Sequence, residues 1–326
     1  MQTHTINDVR YMNDGKNFAV VGRPAAITQN FKRYEEIQKE LPWEMGRGTE
    51  QNYRIAAMTS GDTLDMVGWV NGECADADRV NDFADVETKA VRGWSNGVER
   101  LAEITKQVER DVPLPESVMP QIHWGDQGDE FDIHRMYSGN LDASWSSETG
   151  GLETGPRIVR LLIPFGGNCD KTMEQLFWTG AAAVILGDVL ENAGFSVQLD
   201  GYHIGKQSHS SHYSAQVLTL KHAGEALNPS AIAWSLCHPA SFRTATSFYN
   251  NVFSPHKWNT SGYGHHVTLT DPKARAMMEG FGLMGDEDTI RIDNAPTTKA
   301  ECLTAVTKAL ADIEKLIVRE GAEAEA

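Results

Sequence analysis

Histidine is the residue whose placement most suggests chemistry in this chain, because eight of its eleven copies fall between His203 and His266. The segment HIGKQSHSSHY brings His203, His209 and His212 close together in sequence, and GYGHH adds His265 and His266 after a turn. Neutral imidazoles grouped with a carboxylate can hold zinc or another transition metal, and a single one can act as a general base. His203, His209 and His212 are therefore the candidate metal ligands. The HSSH step differs from HExxH: it lacks the glutamate between its histidines, and its glycine- and serine-rich surroundings predict an exposed loop, not one turn of helix.

A second candidate is Cys169 beside Asp170, which follows the apolar run RIVRLLIPFGGN. A thiol there becomes a nucleophile if an imidazole from the His203 to His212 loop approaches it, so Cys169, Asp170, His209 and His212 form the candidate catalytic set. The third is His238 with Pro239 and Arg243 in LCHPASFRTATSF, where an arginine after a histidine can grip a carboxylate or other anion. The alternative for that segment is a broken helix whose histidine caps backbone groups. Other signatures are absent. GRPAAI at Gly22 and GFGLMG at Gly280 lack the flanks of a dinucleotide fingerprint, and the sequence holds neither a phosphate loop nor a GxSxG elbow. Asp126, Asp129, Glu130 and Asp132 alternate with glycines but do not keep the spacing of a calcium loop, which leaves a solvated loop packed through Trp124 and Trp145.

The elements that must position these residues are clearest after Arg157. Ile158 to Phe165 predicts a buried strand, Thr172 to Asn192 a long helix stopped by Gly194, and Phe195 to Tyr202 a second strand. Gln216 to Leu220 reads as a further strand, and Pro229 to about Phe248 as a helix bent near Pro239. Thr289 to Ile292 reads as a short strand and Thr297 to Val318 as an amphipathic helix with a Thr298/Glu301 capping box. Strands alternating with helices predict an α/β fold with a mostly parallel, doubly wound sheet at residues 157–319, followed by a charged tail.

Upstream, residues 1–116 read as an irregular α+β region. Its helices are expected over Phe31 to Leu41, within Asp76 to Glu87 and over Ser95 to Arg110, whereas Tyr53 to Met58 and Thr63 to Val70 fit strand or helix equally. Pro113, Pro115 and Pro120 mark the start of a turn-rich connector at 117–156.

Composition narrows the classes further. The chain has 326 residues, 29 basic against 45 acidic for a net charge of −16, and 40% hydrophobic residues, enough for a core but unfavourable for non-specific binding to nucleic acid or anionic membrane. Four scattered cysteines without a CxxC pair predict reduced thiols, and no apolar segment is long enough to span a bilayer, so a cytoplasmic location is expected.

Two resemblances follow from these motifs. The strand, the turn at Pro164-Phe165-Gly166-Gly167-Asn168 and the helix phrase LGDVLENAG resemble a von Willebrand factor A domain over Arg157 to Val318. In that family an Asp-x-Ser-x-Ser motif after the first strand holds a magnesium ion, but here those positions carry Pro164, Gly166 and Asn168. The resemblance implies the fold without the metal. Beyond that, WGDQGDEFDIHRMYSGNLDASW, RIVRLLIPFGGN, WTGAAAVILGDVLENAG and LCHPASFRTATSF, in that order, are similar to an uncharacterised family of tailed-bacteriophage proteins. Thr179 stands where that family commonly has arginine before Gly180.

The resulting expectation is a phage-encoded accessory protein of the host cytoplasm that binds a host or phage protein, including a basic nucleic-acid-binding one. It predicts contacts through Asn168, Trp178, His238 and Arg243 and no cofactor. The alternatives are a metal-dependent hydrolase using the His-rich loop and a transcription or replication accessory that stacks single-stranded nucleic acid on Trp43, Trp69 and Trp94.

Overall fold

A computed structural model describes residues 1–44, 70–111, 121–125, 130–131, 135, 137, 145–149, 157–166, 171–192, 194–206, 212–246, 253, 255, 265–286 and 288–324. The chain opens with β1 (Gln2–Ile6), β2 (Val9–Asn13) and β3 (Phe18–Gly22), then helices α1 (Pro24–Lys32) and α2 (Tyr34–Glu40). Asn7 and Asp8 take φ of 49° and 61°, the left-handed pair that closes a two-residue hairpin between β1 and β2. Helices α3 (Phe83–Arg92) and α4 (Ser95–Glu109) follow, then the short strands β4 (Gln121–Gly125), β5 (Glu130–Phe131) and β6 (Trp145–Thr149).

The second half contains β7 (Ile158–Pro164), α5 (Met173–Asn192), β8 (Ser196–Lys206) and β9 (Tyr213–Lys221). A broken helical segment runs from α6 (Pro229–Ile232) through a π-helical turn at Ala233–Cys237 to α7 (Pro239–Ser241) and a second π turn at Phe242–Thr246. The last elements are β10 (His265–His266), α8 (Pro272–Gly280), β11 (Thr289–Arg291) and α9 (Lys299–Ala324).

The main sheet has the order β1-β2-β3-β9-β8-β7-β11, with β10 added beside β8. The α/β class is as expected, but the sheet is mixed and not mostly parallel. The β7/β8, β7/β11 and β3/β9 pairs are parallel, whereas β8/β9, β1/β2, β2/β3 and β8/β10 are antiparallel. The physical reason lies in the connections. Only residues 207–212 separate β8 from β9, a hairpin length that cannot carry the crossover needed between parallel neighbours.

The first three strands, which no clear alternation announces, extend the same sheet through β3. The turn-rich stretch holds a separate antiparallel sheet of order β4-β6-β5 where a loop was expected, while Asp126, Asp129 and Asp132 of the acidic run lie outside the described residues. Tyr53 to Met58 and Thr63 to Trp69 lie outside them too. The helix expected over Phe31 to Leu41 is divided at Arg33, where α1 ends and α2 begins.

Helix α5 is apolar on all sides, as a helix packed between a sheet and other helices must be. Its core partners include Val159, Leu161 and Ile163 of β7, Leu101 of α4, and Val306 and Ile313 of α9. The opposite sheet face, carrying Leu162, Tyr202, Ile204 and Val217, is covered by Met277, Met278 and Phe281 in and after α8. Lys221, fully buried at the end of β9, pairs with Glu191 of α5 at 2.7 Å and donates to the Val197 carbonyl at 2.7 Å. The helix is thereby locked to the sheet.

Helix α5 meets the π turn at Gly180, where a Cβ would fall 2.3 Å from Cys237 Sγ and 3.1 Å from Leu101 Cδ1. Gly180→Ala is expected to cost about 1–3 kcal/mol by overpacking. Adding Cys237→Ala should recover most of that loss in urea unfolding, because it removes the obstructing atom.

Candidate functional site

Strand β7 lies at the place where the sheet order reverses. Its helix leads to β8 on one side, while β11 joins it on the other. Ligands of open α/β sheets usually bind outside the carboxyl ends of strands at such a point. A cleft of about 860 Å³ opens there, lined by Gly166 after β7, Lys171 before α5, His266 of β10, Arg291 and Asp293 at and after β11, and Lys308 of α9.

The cleft polar groups are positioned by local rules. Glu301 accepts from the backbone N–H and hydroxyl of Thr297 at 2.7 and 2.8 Å, and its own N–H donates to Thr298 Oγ1 at 3.2 Å. The capping box read at Thr298/Glu301 is therefore real, with Thr297 as an added partner, and these bonds hold Glu301 below the usual carboxylate range. Asp293 faces Arg275 and Lys308, each at 3.4 Å. Arg291 donates to the Met284 carbonyl at 3.2 Å. Lys171 adds a positive charge near His266.

The floor beside this cleft is a pair of imidazoles. Strand β7 ends at Pro164, opposite Tyr202, but β8 continues to Lys206, and β10 takes the vacated lane with His266 opposite Gly205. This brings His266 Nδ1 to 3.2 Å from His203 Nδ1, with ring centroids 4.9 Å apart. His203 Nδ1 also lies 3.3 Å from the Phe165 carbonyl. Burial depresses His203 to about 4 against a partial counter-effect from that carbonyl. Burial, then the neighbouring His203 and Lys171, depresses His266 to about 3. Both rings are neutral near pH 7.

The residues singled out from sequence scatter around this pair. His203 belongs to it, but its partner is His266, 63 residues away, and not the near neighbours in its own loop. His212 binds the Lys16 carbonyl through Nδ1 at 2.8 Å. Asn168, Cys169, Asp170 and His209 lie outside the described residues. Among the described residues no group of three or more His, Cys, Asp or Glu side chains gathers as a metal cage.

His238 is buried and caps α7: its Nδ1 accepts from the Ala240 N–H at 3.1 Å, which assigns the proton to Nε2 and makes it the donor to the Asp78 carbonyl at 3.1 Å. Both nitrogens are thus engaged, and burial lowers its pKa to about 4. Cys74 Sγ lies 3.7 Å from the same Nε2, but burial raises that thiol to about 11, so it is not a thiolate.

Arg243 is buried and donates to the Lys171 carbonyl at 3.0 Å, which ties the cleft entrance to the second π turn. Trp178 is half-buried against the core. Thr179 donates to the Pro296 carbonyl at 3.1 Å and so fixes the segment before α9.

The nucleic-acid alternative asked for open tryptophan faces. Trp94 is instead buried, with its indole N–H on Asp78 Oδ1 at 2.8 Å, and Trp43 is half-buried, bonded to the Phe253 carbonyl at 3.1 Å. Trp69 lies outside the described residues. Cys74, Cys237 and Cys302 are buried free thiols. No helix among the described residues is long and apolar enough to cross a membrane.

Sequence reasoning missed His266 as the partner of His203, as well as Lys171, Arg291, Asp293 and Lys308. The doublet at His265 and His266 was the one available signal for the first of these. Neither the curated proteins nor the solved structures give a match to this chain. A family model described as "Domain of unknown function (DUF7192)" matches residues 76–314, a span that takes in α3, α4, the β7-α5-β8 unit, both histidines and the cleft, and the chain belongs to that family.

Proposed function

We propose that this protein acts by binding another protein, as a phage-encoded accessory factor built on a von Willebrand A-like core, and that the cleft at the carboxyl ends of β7 and β11 is its contact site. The observation that carries the reading is the position and lining of that cleft. It lies at the reversal of strand order and places Lys171 and Lys308 around a mouth that can receive a carboxylate of a partner. The β7-α5-β8 strand-helix-strand unit, with its turn at Gly166 after β7, supports the A-like core. The succession of motifs from Trp124 to Phe248 supports the phage source.

The net charge of −16 favours a partner that is basic overall, since a field of that sign speeds encounter with it. Cleft lysines then select an acidic side chain at the contact.

The test is affinity capture of a partner with the full chain, followed by titration of the purified pair. Lys171→Glu with Lys308→Glu is expected to weaken binding by about tenfold or more and to reduce its salt dependence. Failure to obtain a stoichiometric partner, or equal affinity for the charge-reversed variant, would defeat the reading.

A further inference from the structure

We propose that His203 and His266 form a two-histidine clamp for one transition-metal ion of the zinc class, held between their Nδ1 atoms where β8 runs on past the end of β7. Two imidazole nitrogens that face each other at 3.2 Å match the bite of a tetrahedral ion. With metal–nitrogen bonds of about 2.0–2.1 Å, two ligands of one zinc ion stand about 3.3 Å apart. The two ring centroids lie 4.9 Å apart with 34° between the ring planes.

The competing filling of the gap is a proton on one nitrogen. With that proton on His203 Nδ1, one N–H serves both His266 Nδ1 at 3.2 Å and the Phe165 carbonyl at 3.3 Å; with it on His266 Nδ1, the Phe165 carbonyl faces an unprotonated nitrogen. A separation of 3.2 Å accommodates either a shared proton or a shared cation, and a cation engages both imidazoles at once.

Two further observations favour a bound ion. Gln216 is the direct cross-strand partner of His203 on the same sheet face, and Ser214 follows two residues away on that face. The Gln216 side-chain nitrogen and oxygen and the Ser214 hydroxyl are all buried and without a hydrogen-bond partner. Buried polar atoms of this kind call for a polar partner, and water on the open positions of a metal would supply one. In addition, His266 lines both the 860 Å³ cleft and a second cleft of about 550 Å³ that contains Lys206 and Asp271, so an ion has a route to the clamp. Imidazole ligands favour zinc, cobalt, nickel or copper over magnesium or calcium.

The experiment uses the full chain stripped with chelator and titrated with Co²⁺, then with Zn²⁺. One Co²⁺ per chain, with visible d–d absorption and displacement by Zn²⁺, is the expected result. His266→Ala should weaken binding by about 100-fold or more, and His212→Ala should leave it unchanged. No stoichiometric metal, or an affinity that falls with His212→Ala and not with His266→Ala, overturns the proposal. Should His266→Ala fail to fold, ¹⁵N spectra of the wild-type imidazoles decide. Zn²⁺ must move the Nδ1 signals of His203 and His266, and shifts confined to other histidines overturn the clamp.

Discussion

Acidification from pH 6.5 to pH 4.5 is expected to unfold this protein, with up to three histidines taking up protons as it does so. His203, His238 and His266 are depressed to about 4, 4 and 3, in each case chiefly by burial. In the unfolded chain a histidine titrates near 6.5. Below that value the unfolded state binds protons that the folded state refuses, so stability is full above pH 6.5 and declines as pH falls toward the folded values.

The slope is about 1.4 kcal/mol per pH unit for each group, or about 4 kcal/mol per unit for all three. Two pH units thus remove an amount comparable to the whole stability of an ordinary domain, about 5–15 kcal/mol. Nearby charges adjust this pattern without reversing it. Lys171 and the partner imidazole oppose protonation of His266, and Lys89 opposes that of His238 while Asp78 favours it. Asp14, Asp271 and Glu301 are held below their usual values and lose their contributions at still lower pH. Between pH 6.5 and 5 the buried histidines therefore dominate. Urea unfolding at half-unit pH steps measures the slope, and His238→Gln should reduce it by one proton. A flat profile from pH 7 to 5 would show that these imidazoles are not buried neutral.

Arg160→Ala is expected to destabilise the fold by about 3–5 kcal/mol, because it leaves a charge in the sheet without its counter-ion. Arg160 donates through Nε to Asp200 Oδ2 at 2.6 Å and through Nη1 to the Leu283 carbonyl at 2.9 Å. Asp200 is 1% exposed, Gln198 Nε2 is its other donor at 2.8 Å, and its Oδ1 is already unpartnered. One amide does not compensate a buried carboxylate once the guanidinium is gone.

The double variant Arg160→Leu with Asp200→Leu should lie within about 1–2 kcal/mol of wild type, since removal of both partners removes the desolvation cost with the attraction. Guanidinium unfolding of the two single variants and the double gives the coupling directly. Equal losses in the single and double variants would mean that the pair contributes nothing beyond shape.

Elements whose apolar pattern is complete within one segment are legible in the amino-acid sequence alone. Helix α5 occupies Met173–Asn192 against an expected Thr172 to Asn192, and α4 occupies Ser95–Glu109 against Ser95 to Arg110. Strands β7 and β11 lie where their apolar runs placed them. The break at Pro239 follows from the missing N–H and fixed φ of proline, and His238 caps the new helix as the alternative reading of that segment required.

The amino-acid sequence thus specifies β7, α5, β11 and α9 and the start of β8, together with the histidine-rich character of the chain between β8 and β10, whereas α8 and β10 carry no pattern that announces them. Pairing was decided by tertiary structure, because a strand pattern specifies a buried face and leaves its neighbour and direction open. The antiparallel β9, the attachment of β1 to β3 and the arrival of β10 beside β8 all depend on contacts between distant segments. The same holds for the site. Proximity in sequence grouped His203 with His209 and His212, yet the end of β7 at Pro164 leaves a free lane that only β10 fills, and this sets His266 against His203. Lys171, Arg291 and Lys308 carry no local signature at all, and they became a site only when the reversal of strand order at β7 brought the ends of β7 and β11 and the start of α9 around one cleft.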